Sequence, residues 1–416
     1  MTRKTATFAH RLSARAALVC AAALSAVAAH AQEPVSPFQF KLSGYGNATT
    51  GLTTTQGQDD IETVFEGEIE ASPQYRLSSG TVIAARVVAN YRRGSAGIGS
   101  SDSLSIPEIS AFVIGSFGRI EIGNRAGFPQ SLIGFTPSEI AFTLSEYGPE
   151  SGTRLDPDGR LPTALIPANL SSRINALTYL GYATRFYDDR SAKIIYLSPR
   201  FKNGLYGALS YTPRTNRPGG FGVAGDQVPG SSGFRDLVQA AAVWNHRTEN
   251  LDLSIGATYS HATVARSTAS LADARRVDSI SGGVSATIRD SYVFGISATY
   301  DGLSSEKRPN VSTRAPYGIV TSFNYVDGPW IAGGYYQHAV APTASIVAGI
   351  DKIDVAQIGL SYLVDKNHDL LGAGFYTDVK LFASATYYGI EQREAGLIRD
   401  RQKPVVMLVG ARFAFF

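Results

Sequence analysis

The sequence predicts an all-β fold: a transmembrane antiparallel β-barrel of about sixteen strands with a long, inward-folded third loop. Three observations carry this reading. Apolar and polar residues alternate singly in runs longer than ordinary globular strands. Short and long connections between the runs follow one another in near-strict alternation. One connection, residues 126–189, abandons the pattern altogether.

The first 31 residues read as a signal peptide and not as part of the fold. Arg3, Lys4, Arg11 and Arg15 form a basic leader, Ala16 to Ala28 is an apolar run, and Ala29-His30-Ala31 fits a small-x-small cleavage site. Cys20 lies inside the apolar run behind Val19, which does not suit a lipid-attachment site. Residues 32–416 then form a single barrel domain without cysteine. Removing the leader takes Lys+Arg from 38 to 34 against 35 Asp+Glu, so a formal charge of +3 becomes −1. That charge removes the basic footprint a nucleic-acid partner requires. An exported chain without cysteine suits the cell envelope.

No run after the leader approaches the 18 or so apolar residues of a membrane helix. Only helices and closed barrels satisfy their backbone groups in lipid, and barrel strands conceal their hydrophobicity by alternating it. Between Glu62 and Leu77 the odd positions include Phe65, Ile69, Ala71, Tyr75 and Leu77, and the even ones Glu62, Glu66, Glu68, Glu70 and Arg76. A period of two places each set on its own face of a strand. After the turn Ser78-Ser79-Gly80, Ile83, Ala85, Val87, Ala89 and Tyr91 oppose Arg86, Asn90 and Arg92. The same alternation marks Tyr292 to Tyr300, Ser279 to Ile288, Ala356 to Val364 and Val379 to Tyr387, with aromatic residues near the ends as a membrane girdle requires. A soluble sandwich alternates too, but its strands peak near 5–6 residues, whereas tilted membrane strands need about 9–11.

Short turns are expected near Ser78-Gly80, Ser116-Arg119, Lys202-Gly204, Arg247-Asn250, Asp290 and Asp327-Pro329. Longer polar loops are expected near Gln56-Asp60, Gly94-Asp102, Arg214-Phe234, Ala265-Arg276, Ser305-Arg314, Pro342-Lys352 and Arg393-Gln402, with an undefined boundary at Asp365-Gly374. Between Arg125 and Arg190, Pro129, Pro137, Pro149, Pro157, Pro162 and Pro167 interrupt any long element. Phe128, Leu132, Ile133, Phe135, Ile140, Phe142 and Leu144 nevertheless make the segment too apolar for a solvated tail, so it is expected to fold into the lumen as a constriction.

Chemistry-bearing motifs are sparse. Gly220-Phe221-Gly222-Val223-Ala224-Gly225 matches a dinucleotide pattern, but Asp226-Gln227-Val228-Pro229-Gly230 follows where a helix should start. His246, His261, His338 and His368 lack ligand spacing, and no nucleophile elbow occurs. Neither enzymatic activity nor a cofactor or metal is therefore expected. The informative groups are charges assigned to the lumen: Glu62, Glu66, Glu68, Glu70, Arg76, Arg86 and Arg92 on two neighbouring runs, and Glu139, Glu146, Glu150, Asp156 and Asp158 from the long segment. They could set a transverse field that biases ion passage, or pair as a wall network with the loop acids solvated.

At this point the residues resemble a known family. The stretch from Ala111-Phe112-Val113-Ile114-Gly115 through Gly118-Arg119-Ile120-Glu121-Ile122-Gly123-Asn124 is similar to the fourth and fifth strands of Gram-negative trimeric outer-membrane porins. Tyr196-Leu197-Ser198-Pro199-Arg200-Phe201 through Gly207 resembles the next hairpin, and Val409 to Phe416 the terminal strand. Three features depart from the pattern: Thr136-Pro137-Ser138-Glu139-Ile140 stands where the acidic loop motif belongs, no arginine precedes Ala111-Phe112, and one residue lies beyond the usual terminal Phe. The resemblance implies a homotrimer in the outer membrane, in contact with the lipid bilayer and lipopolysaccharide. It also implies that the barrel-assembly machinery reads Phe415 or Phe416. The function expected is passive diffusion of small hydrophilic solutes and ions through a water-filled channel. A substrate-specific channel, or an adhesive or structural barrel with a closed lumen, is the alternative.

Overall fold

A computed structural model of the chain describes residues 36–54, 61–94, 103–125, 180–181, 190–215, 234–264, 276–302, 315–342, 349–367, 377–394 and 397–415. Its strands are β1 (Phe38–Thr53), β2 (Ile61–Arg76), β3 (Val82–Gly94), β4 (Ser103–Gly115), β5 (Gly118–Asn124), β6 (Ala192–Leu197), β7 (Leu205–Arg214), β8 (Phe234–Arg247) and β9 (Leu251–Val264). There follow β10 (Val277–Ile288), β11 (Tyr292–Tyr300), β12 (Tyr317–Asp327), β13 (Trp330–Pro342), β14 (Gly349–Asn367), β15 (Thr377–Glu394), β16 (Leu397–Gln402) and β17 (Val405–Phe415). Neighbours pair antiparallel, and β17 returns to β1 from Gly44↔Phe415 to Thr53↔Val406, which closes the sheet. Closure leaves the wall without an unpaired edge, the condition for crossing lipid.

β16 and β17 are one wall strand. Their pairing with β15 keeps a single register, from Ile390↔Gln402 to Tyr387↔Val405, across the break at Lys403-Pro404. Pro404 has no N–H for the ladder, but its carbonyl still accepts from the Tyr388 N–H at 3.0 Å. Counted this way the barrel has sixteen staves, as the alternation predicts.

The faces sort as expected. On β12, Tyr317, Ile319, Thr321, Phe323 and Tyr325 are exposed on the outside, while Gly318, Val320 and Asn324 are buried on the inside. On β11, Tyr292, Phe294, Ile296, Ala298 and Tyr300 point out, opposite Ser297 and Thr299. At the turn end the outward aromatics touch across strands: Tyr292 and Tyr325 at 5.3 Å, Phe294 and Phe323 at 5.0 Å, Trp330 and Tyr362 at 4.5 Å between centroids. This is the position of an interfacial girdle. An arginine at Ile296, mid-strand and outward, is expected to cost about 2–4 kcal/mol in reversible urea unfolding from vesicles. Arginine at inward Gly295, which is only half-buried, should cost clearly less, and equal losses would contradict the face assignment.

Turn chemistry agrees with the short connections. Arg289 and Asp290 both have positive φ (51° and 53°), the requirement of a two-residue type I′ hairpin, and the Ser291 N–H donates to Ile288 O at 3.1 Å. Two expected loops, Pro342–Lys352 and Arg393–Gln402, are partly strand. β14 and β15 extend to Gly349↔Glu394, and β15 pairs with β16 as far as Glu394↔Leu397. Beyond the bilayer both faces meet water, so these strands have no apolar alternation for a sequence reading to detect. Their polar partners hold them instead: the Glu391 carboxylate accepts from Arg393 and, at 2.6 Å, from Arg401 Nη2. The undefined boundary resolves into the end of β14 at Asn367 and the start of β15 at Thr377, with a register shift at Leu363/Asp365.

Candidate functional site

Charged side chains cluster on the inner wall from β2 to β6. Along β2, even positions face inward, so Glu68 and Glu70 lie in the lumen with Ser72. On β3 the inward positions are Ala84, Arg86, Val88 and Asn90, which brings Arg86 between β2 and β4. Its Nη2 donates to Glu70 Oε2 at 2.7 Å, and its Nη1 stands 3.6 Å from Glu108 Oε2. Arg190, where the chain re-enters the sheet before β6, approaches Glu108 Oε1 at 3.8 Å.

A second network centres on Glu121. Isoleucines 120 and 122 point outward, which turns Arg119, Glu121 and Arg125 to the inside. Glu121 is only 1% exposed. Its Oε1 accepts from Ser110 Oγ at 2.5 Å, and its Oε2 is shared by Arg119 Nη2 at 2.9 Å and Arg125 Nη1. Gly123 permits this arrangement. It holds φ +143°, and a Cβ there would come within 2.3 Å of Ile109 O, so no other residue closes β5 onto β4 at this point. Lys193 Nζ donates to the Arg125 carbonyl at 2.6 Å, and the Arg119 guanidinium lies 3.7 Å over the Phe112 ring. Buried charges persist where an opposite charge or hydrogen bonds compensate them, and this wall supplies both.

Among the described residues, acids and bases interleave on this wall and pair across strands. Of the residues expected in the lumen, Glu68, Glu70 and Arg86 are inward, and Arg76 lies exposed at the turn end of β2. Glu62, Glu66 and Arg92 are strand positions whose side chains lie outside the described residues, as do Glu139, Glu146, Glu150, Asp156 and Asp158 entirely. Glu108, Arg119, Glu121, Arg125, Arg190 and Lys193 were not anticipated. The signal for them existed: each of the first three stands beside an outward isoleucine, Ile109, Ile120 or Ile122.

The far wall is different. Inward residues of β13 to β17 form an apolar patch of Ala339, Ile353, Val355, Tyr388, Ile390, Val406 and Leu408, and Leu180 is buried against it. Leu180 O accepts from Gln337 Nε2 at 2.6 Å. A Cβ on inward Gly318 would meet the Leu180 backbone at 2.6 Å, and one on Gly181 would meet Val320 Cγ2 at 2.5 Å. Leu180 and Gly181 thus sit on β12 and β13, seven strands round the wall from β5 and β6, where the segment that contains them leaves and rejoins the sheet. Between the two walls, β7 to β11 contribute a belt of hydroxyl and amide groups: Ser210 to Gln239 at 3.4 Å, Gln239 to Ser260 at 3.2 Å and Thr299 to Ser281 at 3.1 Å.

A closed sixteen-stranded sheet, apolar outside and polar within, defines a membrane channel of the class that leaves an aqueous bore. The family model described as Gram-negative porin matches residues 16–391, and the chain belongs to that family. It is accordingly an outer-membrane channel for passive diffusion of solutes, in a family of channels and not of enzymes. No curated protein matches the chain. Among solved structures, a triple mutant of the Rhodopseudomonas blastica porin is similar at 15% identity, covering 91% of this chain and 100% of its own, with a TM-score of 0.47. A double mutant of the same porin gives 14% identity, the same coverage and a TM-score of 0.48.

Proposed function

We propose a general-diffusion pore for small hydrophilic solutes and ions, in which residues 126–189 turn into the lumen and narrow it. The observation that carries this is the seat of Leu180 and Gly181 on inward-facing residues of the opposite wall. A chain that starts at Arg125, reaches β12 and returns to Arg190 has its shortest course through the bore. The charges at the resulting eyelet would be Glu62, Glu66, Glu68, Glu70, Arg86 and Arg92 on the wall, with Arg76 nearer the rim. Glu139, Glu146, Glu150, Asp156 and Asp158 would join them from the segment. Glu108, Arg119, Glu121 and Arg125 would complete the wall, and their balance would set ion preference.

In this reading residues 1–31 are a signal peptide, the barrel is a homotrimer, the assembly machinery reads Phe415 or Phe416, and lipopolysaccharide surrounds the loop end. Protein purified from outer membranes should begin at Gln32 and open in discrete, long-lived steps in planar bilayers. Electrical silence of the folded barrel would instead mark a closed surface scaffold.

A further inference from the structure

The outer face carries one arrangement of polar residues twice, at the same register on two strand pairs. On β9 and β10, Tyr259-x-His261 faces Arg276-x-Asp278, with His261↔Asp278 directly opposed. On β13 and β14, Tyr336-x-His338 faces Lys352-x-Asp354, with His338↔Asp354 opposed. In the first, Asp278 Oδ1 accepts from Tyr259 Oη at 2.7 Å and lies 2.8 Å from His261 Nδ1, while Oδ2 meets Arg276 Nε at 2.7 Å. In the second, Asp354 Oδ1 accepts from Tyr336 Oη at 2.7 Å and lies 2.7 Å from His338 Nδ1, while Oδ2 meets Lys352 Nζ at 3.2 Å. A partial version on β7 and β8 joins Tyr211 to Asp236 at 2.9 Å, with Arg235 beside it and proline in place of the histidine.

All these residues share the outward parity of the apolar face and lie at the loop end of their strands. Charge on that face is tolerated only at the headgroup level, so the clusters mark the height at which lipid headgroups meet the wall. What each cluster offers there is donor capacity. In the two full clusters the carboxylate is already engaged by a tyrosine, an imidazole and a cation. Arg276 gives Asp278 its Nε, keeps both Nη groups and is 72% exposed on its side chain. Lys352 spends one of three N–H bonds on Asp354, while each imidazole commits its Nδ1–H to the carboxylate and so fixes its position. Donors held rigidly by a carboxylate at a headgroup interface are suited to an anionic oxygen acceptor, and the anionic group at that depth is a phosphate.

We infer that the two clusters are equivalent seats for the phosphate of a membrane lipid headgroup in the leaflet at the loop end, one lipid per cluster. This rests on the reading of lipopolysaccharide as the surrounding lipid, and gives it an address on the barrel. The cation of each cluster would grip the phosphate while the neighbouring outward residues Ile280, Tyr300, Tyr317 and Ala356 meet the acyl chains.

The full-length barrel, in detergent, is mixed with a diphosphorylated glucosamine-disaccharide lipid, its dephosphorylated form, or inorganic phosphate, and retained lipid is counted by native mass spectrometry. The expected result is two phosphorylated lipids per chain, with the dephosphorylated form shed and inorganic phosphate a weak competitor. Arg276→Gln should weaken retention at one seat, and adding Lys352→Gln at the other, each by about fivefold in affinity. Arg276→Lys should restore most of the loss in the first cluster. The unheated gel mobility of the folded barrel and its conductance read folding and the pore separately, so an electrically silent barrel that still holds two lipids would count against the pore alone. Equal retention of both lipids, unchanged retention in the variants, or displacement by inorganic phosphate at the same concentration as lipid would overturn the assignment.

Discussion

Excision of residues 126–189 should raise single-channel conductance severalfold while the barrel still assembles. The wall does not need the segment to close. β5 and β6 pair directly, from Asn124↔Ala192 to Arg119↔Leu197, so Arg125 and Ser191 already stand side by side and a short glycine-containing turn can join them. Both ion-pair networks on that wall survive the excision, since Glu121, Arg125 and Lys193 all remain. What is lost is a partner of the far-side patch: Ile353, Val355, Tyr388, Ile390, Val406 and Leu408 lose Leu180, which is buried in the same cluster. Stability should fall modestly, by about 25 cal/mol for each Å² of apolar surface uncovered. The decisive number is the conductance. Unchanged current through the excised barrel would place the segment outside the bore, whatever its last residues touch. A point variant gives a finer version of the same measurement: Gly181→Val, forced against Val320, should loosen the seat and make the current noisier before it becomes larger.

The barrel wall was legible because lipid enforces a strict rule. Outward side chains between the girdles are held predominantly apolar, so Phe294, Ile296 and Ala298 on β11 advertise their face and, by elimination, that of Ser297 and Thr299. Where that rule lapses the sequence falls silent, as at the water-exposed extensions of β14, β15 and β16. The lumen is harder to read for a related reason. Its inward set is written in the same alternation, but what the charges do depends on which strands are neighbours. Glu70 and Arg86 share a run of alternation with their turn between them, so their pairing across β2 and β3 was within reach. Glu121 and Ser110, or Arg190 and Glu108, meet only through register and through the return of the chain after the long segment. The apolar inner patch on β13 to β17 was equally out of reach. Inward valine and isoleucine on β14 are indistinguishable, in sequence, from lipid-facing ones unless the partner that covers them is known.

Glu121→Gln should be the most damaging single substitution in the described wall, and should turn the channel toward anions. The carboxylate is shared by Arg119 and Arg125, and all three side chains are largely screened from water. Glutamine keeps the volume and can still accept from Ser110, but leaves two guanidinium groups without their counter-charge. Removing one partner of a buried ion pair typically costs about 3–5 kcal/mol, far more than the pair itself contributes, because the stranded charge cannot be rehydrated in place. Glu70→Gln is the control: Arg86 still faces Glu108, and the loss is that of one charged hydrogen bond, about 1.5–3 kcal/mol. Electrically the sign is fixed. One negative charge disappears from the wall, so the reversal potential in a salt gradient must move toward the anion value. Pairing Glu121→Gln with Arg125→Gln restores the charge balance with Arg119 as the cation left over, and should recover part of the stability. If the single variant unfolds in urea at the wild-type midpoint, or the double is worse than the single, the network around Glu121 is not a closed set of compensated charges and the wall must be held in some other way.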